Sequence, residues 1–200
     1  MFREDKATQL AAYLIKKAGG RLNYLTLLKM MYDADREMVL RWGTPILFDT
    51  WFSMKNGPVL SSTYGRIQSE LAVQEFGVVE DADISEVHSN LEPSRNGYLW
   101  SDYIQLEDRY NLVLISDPGD SELSDAELAM AEIGFQDFRG LDYDAASKRA
   151  HRLFKEWKDP FPAGRQQITF SDLLEANDQN TPENLAEINS NWQLNELLGR

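Results

Sequence analysis

Cysteine is absent from this chain, and its absence excludes several kinds of chemistry. Without it there is no disulfide framework, no thiolate nucleophile and no cysteine-ligated zinc or iron–sulfur site. A chain without disulfides suits a reducing compartment, so we expect a cytoplasmic protein. With 200 residues, 42% of them hydrophobic, the chain is long enough to bury a core without such cross-links.

Long apolar runs are also missing. Charge interrupts the N-terminal segment every few residues, and its longest uncharged run, residues 7–15, contains Thr8 and Gln9. A signal peptide needs an unbroken apolar core, and a membrane helix needs about 20 apolar residues. We therefore expect a soluble protein with no membrane partner.

Basic residues are few: 20 Lys and Arg stand against 33 Asp and Glu, and the net charge is −13. Binding to nucleic-acid phosphates needs clustered Lys and Arg, so a nucleic-acid partner is not expected. The first 41 residues differ, with eight basic residues against five acidic ones. The acidic remainder suits either solubility or a basic protein partner.

Catalytic and metal-binding signatures are scarce. The histidines, His88 and His151, lie in neither a zinc-protease nor a serine-hydrolase motif, and Gly19-Gly20 is too short for a phosphate loop. Residues 81–92 have the spacing of an EF-hand loop, but Glu86 occupies the position that needs Gly. The sequence predicts no catalytic site, no metal and no cofactor.

Two aspartates leave one enzymatic alternative open, a hydrolase that uses His151 with Asp33 or Asp35. The aspartates are two residues apart on a predicted helix, so they lie roughly 200° apart around its axis. They cannot jointly act on one bond. We expect one to face a neighbouring arginine and the other to face water.

Apolar spacing predicts two N-terminal helices. The first covers residues 7–15 and ends at Gly19-Gly20, and the second begins at Asn23 and ends at Trp42 before Gly43. Two helices joined by a short turn resemble a helix-turn-helix. This geometry provides the alternative function, a transcriptional regulator of the protein's own operon.

The middle of the chain predicts less regular structure. A loop or short irregular elements are expected from Ile46 to Leu60, turning at Asn56-Gly57-Pro58, with a helix from Ser61 and a long polar connection at residues 80–96. Residues 100–116 have the pattern of a β-hairpin. The predicted fold class is α+β, predominantly helical, with one small antiparallel hairpin.

Three further helices are predicted in the C-terminal half. Ser124 and Glu127 form a capping box, and a second helix from Asp144 carries its apolar face as far as Trp157. Thr181 and Pro182 open a helix in the tail. We divide the chain into a domain at residues 1–162 and a C-terminal extension, residues 163–200, with an amphipathic helix.

Three stretches resemble one known family. "LLKMMYDADRE", "GTPI" and "DTWFSMKNGPVLSSTY" are similar to the signature of the Panacea domain, the SocA-like antitoxins and GepA-like proteins of phages, prophages and toxin–antitoxin operons. The matching residues are Lys29, Tyr32, Asp35, Arg36, Glu37, Gly43, Pro45, Met54, Gly57, Pro58, Val59, Leu60, Ser61 and Tyr64.

The resemblance continues more weakly to about residue 160, through the hairpin, "LSDAEL", and His151 followed by Trp157. Three departures stand out: Met30 and Met31 replace leucines, Asp33 replaces an apolar residue, and the chain beyond residue 162 matches nothing.

What the resemblance implies is a small, mainly helical protein that binds and neutralises a cognate toxin. It would mask the toxin or act as an adaptor that delivers it to a ClpXP-type protease, and the toxin would be encoded in the same operon. The implied motif or partner-binding residues are Tyr32, Asp35, Arg36, Trp51, Met54, Gly57, Pro58, Tyr64, His151 and Trp157.

Two hypotheses for these residues stay open. Aromatic and Met side chains around the turn suit an adaptable interface, and Ile188 and Trp192 of the tail would extend it into a groove of the partner. Alternatively, the aromatic residues form a packed cluster, Gly57 permits an unusual turn, and Asp35 with Arg36 braces the loop.

Overall fold

The computed structural model describes residues 2–76 and 100–198. The helices are α1 (Glu4–Lys17), α2 (Tyr24–Trp42), α3 (Ser61–Phe76), α4 (Asp125–Phe138), α5 (Tyr143–Leu153), α6 (Phe170–Ala176) and α7 (Pro182–Leu198). The strands are β1 (Arg21–Asn23), β2 (Trp51–Met54), β3 (Gly57–Leu60), β4 (Ile104–Leu106), β5 (Asn111–Leu114) and β6 (Arg165–Ile168). The predicted helix-dominated α+β class is confirmed. His88, the EF-hand-like segment and the polar connection lie outside the described residues.

The first two helices end where the sequence predicts, and α2 also begins there, whereas α1 begins at Glu4, three residues before the predicted start. The backbone of Gly20 is left-handed and its amide donates to the Ile15 carbonyl over 2.9 Å, which completes the C-terminal turn of α1. Asn23 caps α2 by accepting from the Leu25 amide, and Gly43 ends it in a left-handed conformation. None of the described helices is long and apolar enough to cross a membrane.

Helix α2 is the centre of the molecule. Every residue from Thr26 to Arg36 is buried, because α1, α4, α5 and the β2–β3 hairpin pack around it. A recognition helix needs an exposed face to enter a DNA groove. The helix-turn-helix interpretation is therefore wrong for this helix pair, and β1 lies in the connection, where it pairs with β5.

The described part of the chain contains two small antiparallel sheets, of strand order β1-β5-β4 and β3-β2-β6. The predicted hairpin at residues 100–116 is confirmed as β4 and β5. The loop predicted at residues 46–60 contains a second hairpin, in which Met54 pairs with Gly57 across a two-residue turn. Gly57 and Pro58 hide this strand from pattern analysis, because both residues are uncommon in strand interiors.

Helix α5 is shorter than predicted. It ends at Leu153, and Phe154 takes an extended conformation (φ −94°, ψ 90°), so Trp157 reaches the hairpin from a turn rather than from the helix. The capping box at Ser124 is confirmed. So is the start of α7, where the Asn184 amide donates to the Thr181 hydroxyl over 3.2 Å.

The C-terminal segment packs on the rest of the chain. Strand β6 pairs with β2, Ile188 is 1% exposed, and the Trp192 ring packs against Phe48 and Phe170. The hypothesis that Ile188 and Trp192 lie in a partner's groove is therefore wrong. The division of the chain into a domain at residues 1–162 and an extension at residues 163–200 stays a prediction.

Candidate partner-binding site around the β2–β3 hairpin

Asp35 holds the loop before β2 against the central helix. One of its carboxylate oxygens accepts from the amides of Ile46 and Leu47 at 2.7 and 2.9 Å, and the other accepts from the Trp51 indole at 2.8 Å. Burial raises the pKa of this carboxyl to about 7, although the three hydrogen bonds act against the rise. The predicted bracing of the loop by Asp35 is confirmed.

Arg36 takes part in a different buried network. Its Nε donates to Glu156 over 2.8 Å, and the Tyr32 hydroxyl donates to the same carboxylate oxygen over 2.9 Å. Arg36 also donates to Glu37 and to Asn177. Burial, and then the charge of Glu156, raises the pKa of Tyr32 well above its ordinary value. The network joins α2 to the turn after α5 and to the end of α6.

Asp33 is 1% exposed, so the expectation that one of the two aspartates faces water is wrong. It lies beside Asp137 of α4, which in turn forms an ion pair with Arg149. Burial, and then the negative charge of Asp137, raises the pKa of Asp33 to about 8. Near neutral pH the Asp33 carboxyl therefore carries a proton that it can share with Asp137.

Lys29 of α2 binds the β2–β3 hairpin next to its turn. Its buried ammonium donates to the Pro58 carbonyl over 2.6 Å, and burial lowers its pKa to about 7. Gly57 has a φ of 99°, and a Cβ there would lie 3.1 Å from Lys29 Cε and 3.2 Å from Ala150 Cβ. The predicted unusual turn at Gly57 is confirmed, and only glycine suits this close approach.

His151 and Trp157 close over the same hairpin. Their rings stack with centroids 3.8 Å apart, and the Trp157 indole donates to the Met54 carbonyl over 3.0 Å. The His151 Nε2 is buried without a hydrogen-bond partner. Burial, and then the positive charge of Lys29, lowers the His151 pKa, so the imidazole is neutral near pH 7.

The remaining candidates divide between the core and the surface. Trp51 is 2% exposed and packs edge-on against Tyr32 and Phe170, so its place in an exposed interface is wrong. Tyr64 is half-buried and stacks on Tyr24 at 6.5 Å, away from the hairpin contacts. Met54 is half-buried on the outer face of the hairpin.

Sequence analysis missed two groups that complete the site. Glu156 joins Tyr32 to Arg36, and Lys29 supports the hairpin turn. The sequence identifies Lys29 only as a residue that matches the family motif. A buried acid that lies 120 residues from its partner gives no local signal. Within the described ranges, no group of His, Asp and Glu could hold a metal ion.

Comparison with models of known protein families gives a match. A family model described as "Antitoxin SocA-like, Panacea domain" matches residues 27–158, a range that begins inside α2 and includes the hairpin, His151 and Trp157. Among curated proteins and solved structures nothing matches the chain significantly. The matched range is more than half of the sequence, and the chain therefore belongs to the SocA-like antitoxin family with a Panacea domain.

Proposed function

We propose that this chain is the antitoxin of a toxin–antitoxin pair and neutralises one cognate protein toxin by binding it. The observation that carries the proposal is the family match over residues 27–158, which supports an antitoxin role. The toxin would be encoded in the same operon. The net charge of −13 favours a basic toxin, since opposite charges speed encounter between partners.

A binding role is a better proposal than catalysis because the candidate catalytic side chains are already engaged in contacts that stabilise the fold. Asp35 holds three donors of the loop, and Asp33 faces Asp137. His151 is stacked on Trp157 and faces the charge of Lys29. A general base must reach a substrate proton, whereas both aspartates are buried in the core.

Co-expression tests the proposal. Each open reading frame next to the gene is induced alone and together with this chain, and growth is measured. We expect one neighbour to stop growth alone and to be tolerated in the presence of this chain. A tagged copy should then retain that neighbour at near-equal stoichiometry, as determined by mass spectrometry. If no neighbour is toxic, or if the toxic neighbour is neither retained nor degraded when this chain is present, the proposal fails.

The same assay separates masking from delivery to a protease. Under masking, rescue persists in cells without ClpXP and the toxin accumulates in the complex. Under delivery, rescue disappears in those cells and the toxin is long-lived. A DNA fragment with the operon promoter serves as the control for the regulator alternative, and we expect it not to shift.

A further inference from the structure

Strand β6 lies at the edge of the second sheet. Among the residues that the structure describes it pairs only with β2, and its first three residues, Arg165 to Gln167, are exposed. An open edge presents main-chain N–H and C=O groups that can pair with another strand. The main-chain groups that point outward follow from the hydrogen-bond pattern of the hairpin.

In an antiparallel pair, successive residues bond alternately to one side and to the other. The Ser61 amide donates to the Thr50 carbonyl over 2.9 Å, so Thr50, Phe52 and Met54 bond toward β3. Trp51 and Ser53 consequently bond toward β6. Their opposite residues are Ile168 and Gln166, which leaves the main-chain groups of Arg165 and Gln167 pointing outward.

Cations without carboxylate partners lie on β6, in the turn of the hairpin and in the turn that precedes Trp157. Within the described ranges Lys55, Lys155 and Arg165 form no ion pair, and neither do the exposed Arg139 and Arg152. The Arg165 guanidinium lies 5.2 Å from the centroid of the Phe52 ring. Lys55 occupies the turn next to Met54, and Arg165 lies opposite Met54 on the outer face. Lys155 lies in the turn between His151 and Trp157, the two residues that cover the hairpin.

Two further residues precede β6 in the chain. The backbone of Lys158 lies beside β2, because its amide donates a hydrogen bond to the Ser53 hydroxyl. Its ammonium forms an exposed ion pair with Asp172 at 3.3 Å. Phe161, just before β6, is 86% exposed. We call β6 together with Lys55, Lys155 and Lys158 the basic edge.

We infer that the basic edge binds an extended acidic segment of a protein partner, which adds to the sheet as a fourth strand beside β6. Main-chain groups of the segment pair with Arg165 and Gln167, and its carboxylates meet the unpaired cations. A second copy of this chain is disfavoured, because two such edges would bring their cations together. A nucleic acid would use the charges but not the outward main-chain groups.

The inference rests on the proposed function only in assigning the segment to the toxin, as a local acidic stretch of a protein that is basic overall. A synthetic probe therefore tests it separately. The probe is a fluorescent peptide of about eight residues that alternates Thr and Glu, a length that matches an ordinary strand. We expect saturable binding in fluorescence anisotropy at low salt. Binding should weaken at least about tenfold when alternate peptide amides are methylated, since strand pairing needs those donors.

Two variants locate the binding. Gln167→Pro removes an outward N–H and keeps the bonds of Gln166 and Ile168 to β2, and Arg165→Glu reverses the charge. Each should weaken peptide binding about tenfold or more. Arg139→Glu is the matched control, an exposed cation near the start of α5 that should leave binding unchanged. Circular dichroism verifies that each variant is folded.

Equal binding of the methylated peptide, or of all three variants, would overturn the inference. So would binding of a single-stranded oligonucleotide in place of the peptide. In cells, Arg165→Glu and Gln167→Pro should lose toxin rescue. If wild type and both variants rescue equally, the basic edge is not the toxin site and the antitoxin proposal stands. If wild type never rescues, the antitoxin proposal fails, and the peptide assay alone tests whether the basic edge binds an extended acidic segment.

Discussion

At the scale of single residues, most of the family motif lies in the interior of the molecule. Asp35 binds three donors of one loop, and Lys29 binds the carbonyl of Pro58. One of the two hypotheses from the sequence was that Asp35 and Arg36 brace the loop, and it is confirmed for Asp35 but wrong for Arg36, which binds Glu156, Glu37 and Asn177. The sequence could not predict Glu156 as the partner of Arg36, since a contact between distant residues depends on the finished fold.

Asp33 provides a test at this scale. Its pKa is raised to about 8 in the folded chain, against about 3.9 when unfolded, so the folded state binds more protons between these values. Its stabilising contribution is complete below about pH 4 and is lost as the pH rises to about 8. Asp33→Asn imitates the protonated form, and at pH 8.5 we expect it to be more stable than wild type by at least about 1.4 kcal/mol, which corresponds to one pKa unit.

Urea unfolding at pH 5 and pH 8.5 measures this difference. The lowered pKa of Lys29 makes the folded state more stable as the pH rises above 7, which opposes the effect of Asp33. Because both proteins contain Lys29, this contribution cancels in the difference between the variant and wild type. Exposed Asp144→Asn serves as the control and should show the same pH dependence as wild type. An Asp33→Asn variant that is less stable than wild type at both pH values would contradict a shared proton with Asp137.

At the scale of elements, the helices except the short α6 were predictable, and the strands of the second sheet were not. Helix caps such as Asn23, Ser124 and Thr181 are local signals, and each lies where the sequence predicts. Strands β2, β3 and β6 have four residues each, and β6 pairs with β2 from more than a hundred residues away. Short strands contain too few residues to show alternation, and their pairing is decided by tertiary contacts.

Gly134 tests the closest contact between elements. A Cβ at this position would lie 2.3 Å from the Met30 carbonyl oxygen of α2, and backbone cannot move aside as a side chain can. Alanine ordinarily stabilises a helix interior by about 1 kcal/mol relative to glycine. Here we expect Gly134→Ala to lower the free energy of unfolding by about 2 kcal/mol or more, because α4 must move away from α2.

The control for this variant is Gln136→Ala, an exposed position in the same helix that should change stability by less than about 0.5 kcal/mol. Both variants are compared by urea unfolding, with far-ultraviolet circular dichroism as the signal. A neutral or stabilising effect of Gly134→Ala would show that α2 and α4 are further apart than described here.

At the scale of the whole molecule, the family match ends at residue 158 while the packing continues beyond it. The tail contributes β6 to the second sheet, and it contributes Asn177 to the network of Arg36. Sequence analysis could place the tail helix but not the face that it buries. Both Ile188 and Leu197 are apolar, yet the first is 1% exposed and the second 84%.

This difference between Ile188 and Leu197 predicts how the tail unfolds. Ile188→Ala removes buried methyl groups, so we expect a loss of about 2–4 kcal/mol and a lower midpoint of thermal unfolding. Leu197→Ala is the matched control and should change little. If residues 163–200 fold together with the rest, circular dichroism and tryptophan fluorescence will agree on a single midpoint within each variant. Two separate midpoints, with the upper one unaffected by Ile188→Ala, would instead establish the tail as an independent unit, as the division at residue 162 predicts.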